Sequence, residues 1–170
     1  KLEQENRLIF KGDKVYRKLF LNENKGKVPE TIWDDTSNAA NAADELKEIF
    51  GSQVFDTPKP MPYIQRMIEI STEKNDLILD FFAGSGSTAH AVLQSNKEDG
   101  GNRKFIMCTN NENDICTDVC YPRIKKVIEG YTNAKKEKIE GLDGNLKYFK
   151  TDFVDGEPTD KNKKKLVEQC

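Results

Sequence analysis

Apolar positions along the chain fall into short periodic stretches separated by polar, glycine-rich or proline-rich breaks. In segment 7–21, RLIFKGDKVYRKLFL, two apolar stretches flank Lys11-Gly12-Asp13-Lys14, the pattern of a hairpin about a tight turn. Lys11, Lys14, Arg17 and Lys18 interleave with Phe10, Tyr16 and Phe20, so one strand face is expected to suit a polyanion. Residues 22–38 are rich in Asn, Gly, Pro and Asp and predict a loop, with Trp33 as its large anchor. From Ala39 to Phe50 the period becomes helical, and Gly51 is a natural stop.

The central block is more regular. Pro58, Pro60 and Pro62 punctuate an extended approach, after which Tyr63, Ile64, Met67 and Ile68 give the period of an amphipathic helix. Asn75-Asp76 marks a turn, and Leu77-Ile78-Leu79 predicts a short buried strand. Ala83 to Ser87 reads as a tight loop, Thr88 to Asn96 as helix, and Lys97 to Arg103 as a connecting loop. A second buried strand is expected over Lys104 to Thr109, a helix over Tyr121 to Tyr131, and the opening of another helix in the Lys-rich tail from Thr159. Strand, glycine loop, helix, strand, helix is the alternation of a parallel α/β sheet.

Length and charge narrow the picture. A chain of 170 residues accommodates one domain with a genuine core. Neither a membrane-length apolar run nor a basic-then-apolar leader is present, which points to the cytoplasm. Four cysteines and one histidine lack the spacing of a metal site, so reduced thiols and no metal are expected. His90 reads as a half-buried surface residue rather than a base. The net charge is −2, but residues 1–28 hold eight basic and four acidic side chains. A basic N-terminal end on a mildly acidic body suits local phosphate contacts.

The segment LILDFFAGSGSTAHAVL concentrates the chemistry. Glycines allow positive φ and close approach of a ligand to the backbone, and the following helix offers free amides at its N-terminus. The loop falls at the carboxyl end of a strand, where open α/β sheets hold ligands. The third glycine of a dinucleotide fingerprint is replaced by Ala89, and the Lys-[Ser/Thr] pair of a phosphate loop is missing. With Asp80 at the strand end, the absent lysine suits a ligand that carries positive charge.

Asp80-Phe81-Phe82-Ala83-Gly84-Ser85-Gly86-Ser87-Thr88 resembles motif I, D-x-F-x-G-S-G-[ST]-T, of the β-class amino-DNA methyltransferases. Upstream, Phe55-Asp56-Thr57-Pro58-Lys59-Pro60 resembles their motif X at the spacing of the permuted order. The run from FDTPKP through DFFAGSGSTAHAVLQSNKEDGGNRKFI is similar to the modification (Mod) subunits of type III restriction-modification systems, which are adenine-N6-specific. KGKVPETIW and NLKYFKTDFV resemble their flanking segments, so the likeness covers most of residues 25–155.

The resemblance implies part of a Rossmann-like, S-adenosylmethionine-dependent methyltransferase sheet, preceded by a β/loop segment from the target-recognition region. It divides the chain into a recognition and DNA-contact end at 1–50, a cofactor-binding half-domain at 51–155, and a helix cut short at 156–170. Phe55, Thr57 and Lys59 would line the methionine end, with Lys59 the candidate for the cofactor carboxylate. Asp80 would take the α-amino group or an ordered water, or cap the strand end. Phe82, Gly84 and Gly86 would form the loop floor, while Ser85, Ser87 and Thr88 could donate hydroxyls or cap the helix. Arg17, Lys18, Lys25 and Lys27 would contact DNA phosphates.

The sequence departs from the family at two places. After the second strand, where the family has an acid for the ribose hydroxyls, stand Thr109, Asn110 and Asn111, and the first acid is Glu112. Either Asn110 or Asn111 makes those bonds, or the turn swings Glu112 inward, the alternative adopted here. The D-P-P-[YF] loop that polarises the target amine is also missing, since no two prolines are adjacent. The expectation is a C-terminal fragment of a DNA adenine methyltransferase, inactive alone. Its partners would be DNA and the missing catalytic half or a restriction subunit, and a homodimer is compatible with the intact protein. The competing expectations are a non-catalytic module that binds cofactor or a partner subunit, and a cytosine-N4 enzyme.

Overall fold

A computed structural model describes residues 4–18, 20, 23, 26, 28–33, 36, 38–151 and 156–168. The chain divides into two compact units, Lys1–Asp35 and Thr36–Cys170. No helix among the described residues is long and apolar enough to cross a membrane.

The first unit centres on an antiparallel hairpin, β1 (Leu8–Lys11) and β2 (Lys14–Arg17), with Gly12 and Asp13 at the turn. Leu8 pairs with Arg17, Ile9 with Tyr16, Phe10 with Val15 and Lys11 with Lys14. Because side chains alternate across a strand, Lys11 and Lys14 share a face with Ile9 and Tyr16, while Arg17 lies on the other with Phe10. The basic residues expected on one face are therefore split between two. Arg7 ties the unit together: its guanidinium donates to both oxygens of Glu23 at 2.7 and 2.5 Å and lies 4.9 Å from the centre of the Phe20 ring.

The second unit begins with α1 (Ala39–Phe50), whose bounds match the sequence pattern. Asn38 and Asn41 form a reciprocal capping box, and the Gly51 N–H closes the helix on the Lys47 carbonyl at 2.7 Å. Leu46 and Ile49 are each only 1% exposed, so α1 packs within this unit. That packing boundary, at residues 35 and 36, differs from the division after residue 50 drawn on the sequence. The approach through Pro58 and Pro60 leads into α2 (Met61–Ser71), which has proline in its first turn.

A parallel β–α–β unit follows: β3 (Leu77–Asp80), α3 (Ser87–Asp99) and β4 (Lys104–Met107), with Leu77 opposite Lys104 and Asp80 opposite Met107. The helix runs three residues beyond the expected Asn96, and left-handed Gly100 ends it. Arg103 secures its end, donating to both Asp99 oxygens at 3.2 and 3.0 Å and to the Thr72 hydroxyl at 3.0 Å. Glu112–Asp114 forms a single 3-10 turn, and a π turn at Ile115–Cys120 leads directly into α4 (Tyr121–Glu129). A small antiparallel pair, β5 (Tyr131–Thr132) and β6 (Lys138–Ile139), and α5 (Asp160–Glu168) complete the elements. Among the described residues the architecture is mixed α/β with three two-stranded sheets.

Helix α3 is the centre of the core and is apolar on two sides. Ala89 and Leu93 pack with Ile49, Ile124 and Val127, while Ala91 and Val92 pack with Ile68 and Ile78. The alanines keep that crowded helix narrow. The strands differ from expectation: both are buried on one face only. Leu77, Leu79 and Ile106 are 60%, 49% and 47% exposed, because α3 covers the Ile78 and Phe105 side and no described element covers the other.

Candidate functional site

The strand end, the glycine bend and the proline-flanked stretch meet at two adjoining open hollows. A hollow of about 270 Å³ is lined by residues including Phe55, Thr57, Lys59, Asp80, Phe82, Gly84, Ser85 and Thr88. A second, of about 620 Å³, shares Phe55, Thr57, Phe82 and Gly84 and extends to Thr109, Asn110, Glu112 and Ile115. Nine of the ten cofactor residues expected from sequence thus border one or other of these adjoining hollows, and the tenth, Gly86, borders neither.

The bend is held by its own polar groups. Asp80 accepts from the Phe82 N–H at 2.9 Å through one oxygen and from the Thr88 hydroxyl at 2.6 Å through the other. The Cys108 N–H donates to the Asp80 carbonyl at 2.8 Å, and the Ala83 N–H to the Cys108 carbonyl at 3.0 Å, anchoring the bend to the end of β4. Asp80 therefore caps the bend while its carboxylate still borders the smaller hollow. Phe82 is pushed outward and is 92% exposed, an apolar wall common to both hollows.

Gly86 has a different task. It caps α3 at φ +78°, and a Cβ there would meet Cys120 Sγ and Ile124 Cγ1 at 3.3 Å. Its lack of a side chain lets the head of α3 close against α4. The serines also turn inward: Ser85 and Ser87 are 3% and 5% exposed. The Ser87 hydroxyl donates to the Lys59 carbonyl at 2.9 Å, joining the bend to the proline-flanked stretch. Pro58 and Pro60 are buried, which leaves the intervening Lys59 side chain exposed at the rim.

On the far side, Asn110, Asn111 and Glu112 after β4 are differently engaged. Asn111 Oδ1 accepts from the Cys116 and Thr117 N–H groups at 3.0 and 3.1 Å, so its side chain is committed to the π turn. Asn110 and Glu112 remain at the larger hollow, 3.3 Å apart through Asn110 Nδ2 and Glu112 Oε2. Among the residues expected at DNA, Arg17 is exposed and Lys18 donates to Asn6 Oδ1 at 3.3 Å. Lys25 and Lys27 lie outside the described residues.

Sequence reasoning missed the polar cluster beneath the bend. Arg123, 1% exposed, donates to Glu45 Oε1 at 2.6 Å and to the Ser87 hydroxyl at 2.9 Å. His90 is 8% exposed and sits in this cluster, not at the surface as expected. Burial pushes the Glu45 carboxyl up, but the His90 hydrogen bond and the Arg123 charge outweigh it and hold the group below the usual range. Burial pushes the Arg123 guanidinium below its usual value, opposed by Glu45. No spacing rule joins positions 45, 90 and 123.

The DNA methylase family (N6/N4) matches residues 2–118. The Type III restriction-modification enzyme StyLTI Mod subunit of Salmonella typhimurium is 40% identical over 112 residues, covering 64% of this chain and 17% of that protein. The Type II methyltransferase M.KpnI of Klebsiella pneumoniae is 37% identical over 145 residues, 85% of this chain and 35% of that protein. The EcoPI Mod subunit of Escherichia phage P1 is 41% identical over 104 residues, 59% of this chain and 16% of that protein. The chain thus spans about a third or less of the length of these relatives.

Proposed function

The chain belongs to the N6/N4 DNA methylase family, and from that premise we propose that it is the S-adenosylmethionine-binding portion of a restriction-modification DNA methyltransferase acting on adenine N6. The observation that carries this reading is the pair of adjoining hollows between Phe55-Asp56-Thr57 and the bend that follows Asp80. The donor set fits the cofactor. Carboxylates at Asp80 and Glu112 stand towards opposite ends, and Lys59 borders the end nearest Asp80. A hollow of about 620 Å³ also lies within the usual range for small-ligand sites. In this assignment the β3–α3–β4 unit is part of a Rossmann-like sheet, and residues 1–50 belong to the DNA-contacting region.

When bound, the cofactor supplies a methyl group on a cationic sulfonium. The residues of this chain bind and orient. Asp80 attracts the positive end, and Lys59 meets the carboxylate. Asn110 and Glu112 accept from the ribose hydroxyls, and Phe55 and Phe82 keep water from the apolar surface. Holding the donor still lowers the barrier by removing orientational freedom before reaction. Polarisation of the target amine is assigned to a D-P-P-[YF] loop outside these residues, since the sequence has no adjacent prolines. Arg17, Lys18, Lys25 and Lys27 are assigned to DNA phosphates, and a restriction subunit is the expected protein partner.

The test is methyl transfer from labelled S-adenosylmethionine to duplex DNA by the full-length protein, with the modified base identified. N6-methyladenine is the expected product; N4-methylcytosine would replace the adenine assignment and leave the pocket standing. The missing proline pair also favours a second reading, a module that binds cofactor or a partner subunit without reacting. Methylation restored by mixing this chain with one carrying D-P-P-[YF] would decide against that reading.

A further inference from the structure

A continuous polar chain runs from Glu45 and Arg123, which border neither hollow, to Ser85, Ser87 and Lys59 in the wall of the smaller one. Arg123 Nη2 donates to Glu45 Oε1 at 2.6 Å, and Nη1 donates to the Ser87 hydroxyl at 2.9 Å and to Ser85 Oγ at 3.2 Å. Nη1 also lies 3.4 Å from the Ser85 carbonyl. The Ser87 hydroxyl, accepting from Arg123, gives its own proton to the Lys59 carbonyl at 2.9 Å. One guanidinium thereby fixes which way that hydroxyl points, and so joins the two walls of the depression.

We propose that Arg123, held by Glu45, is a positioning residue that sets the glycine bend and the Lys59 stretch in their ligand-accepting arrangement. The inference rests on the cofactor reading above. It concerns a residue beyond the 2–118 family match, on a helix that does not itself border the smaller hollow.

Three features support it over a purely structural role. First, an arginine buried to 1% exposure is a costly way to stabilise a core, because desolvation of both charges opposes their attraction. Its Nε is buried with no hydrogen-bond partner, so the site does not even satisfy the whole group. Second, the planar fork is divided: one nitrogen faces the acid on α1, and the other faces the serines of the bend. A lysine, with a single ammonium, cannot hold both sides in fixed register. Third, the anchor is itself fixed. His90 Nδ1 lies 2.9 Å from Glu45 Oε1 and 3.2 Å from Arg123 Nη2. One nitrogen cannot donate to the acid and accept from the guanidinium together, so the shorter contact, Nδ1–H to Glu45, is the one assigned.

The experiment uses wild type, Glu45→Gln and Arg123→Lys, all below their unfolding transitions. S-adenosylhomocysteine affinity is read by titration calorimetry, and backbone hydrogen exchange is read at residues 84–88 in the free proteins. Glu45 borders neither hollow, so a merely structural role for it predicts lower thermal stability with unchanged affinity and unchanged exchange at the bend. The proposal predicts affinity weakened by roughly tenfold in both variants, with faster exchange at 84–88 and unchanged exchange in α2. Wild-type affinity in either folded variant overturns it. If Arg123→Lys does not fold, Glu45→Gln decides alone. Absence of binding by the wild type overturns the cofactor reading itself, a result distinct from normal binding that the variants leave unaltered.

Discussion

The Thr88 hydroxyl donates to the Asp80 carboxylate across 2.6 Å, so the first turn of α3 is tied back to the end of β3 over the glycine bend. Asp80 also accepts from the Phe82 N–H at 2.9 Å, so both of its carboxylate oxygens hold the bend in shape. Preorganisation of this kind reduces the ordering that binding would otherwise require.

Thr88→Val removes the hydroxyl at nearly constant volume and leaves Asp80 with one partner fewer. A hydrogen bond to a charged group is worth about 1.5–3 kcal/mol, and half-burial of Thr88 places the expected loss at the lower end. Urea unfolding of the variant against wild type checks it.

The two glycines of the bend are expected to fail differently. Gly86→Ala forces a Cβ against Cys120 and Ile124 at φ +78°, at a cost of about 1–2 kcal/mol for the left-handed backbone alone. Its main signature is a lower unfolding midpoint. Gly84 has φ +51° and its nearest neighbour for a Cβ is the Phe82 carbonyl at 3.7 Å, on the pocket side. Valine there carries left-handed strain of its own, and because Gly84 borders both hollows it should weaken ligand binding as well as lower the midpoint.

Acid should uncouple the Arg123 anchor. Arg123, His90 and Tyr131 face Glu45, whose carboxyl is held below its ordinary value of 4.5. A depressed acid contributes stability that is present above its unfolded value and is lost as pH falls through the folded one. The stability gap between wild type and Glu45→Gln therefore closes as pH falls below the ordinary carboxylate range. Unfolding midpoints of both proteins across that range supply the check; a gap that widens in acid contradicts the assignment.

Thiol reactivity distinguishes the two sides of the α3–α4 contact. Burial, reinforced by the charge of Cys116, pushes the Cys120 thiol up to about 11, so it is protonated and unreactive near neutrality. Cys108 is exposed at the end of β4. Brief iodoacetamide treatment followed by peptide mass mapping should mark Cys108 and spare Cys120.

Local pattern carried most of the elements. The helical period of 39–50 and the glycine after it sufficed for α1, because both signals act within a few residues. The strands were recognisable but their exposure was not. Leu77-Ile78-Leu79 is apolar at every position, so alternation cannot reveal that only Ile78 faces α3. The juxtaposition of Asp80, Gly84 and the Thr57–Lys59 stretch was legible because they sit in recognisable motifs. Its foundation was not: Arg123 and Glu45 are separated by 78 positions, and only the packing of α1 with α4 reveals the pair. Gly86 was legible as a glycine requirement but not as a helix contact, since Cys120 and Ile124 enter only through tertiary structure.

Calorimetric titration of the wild type with S-adenosylhomocysteine, alongside Asp80→Ala and Gly84→Val, is the most direct trial of the pocket. Saturable one-to-one heat in the wild type, lost in both variants while they remain folded, is the predicted result. Equal heat in all three folded proteins would place the ligand elsewhere and contradict the account.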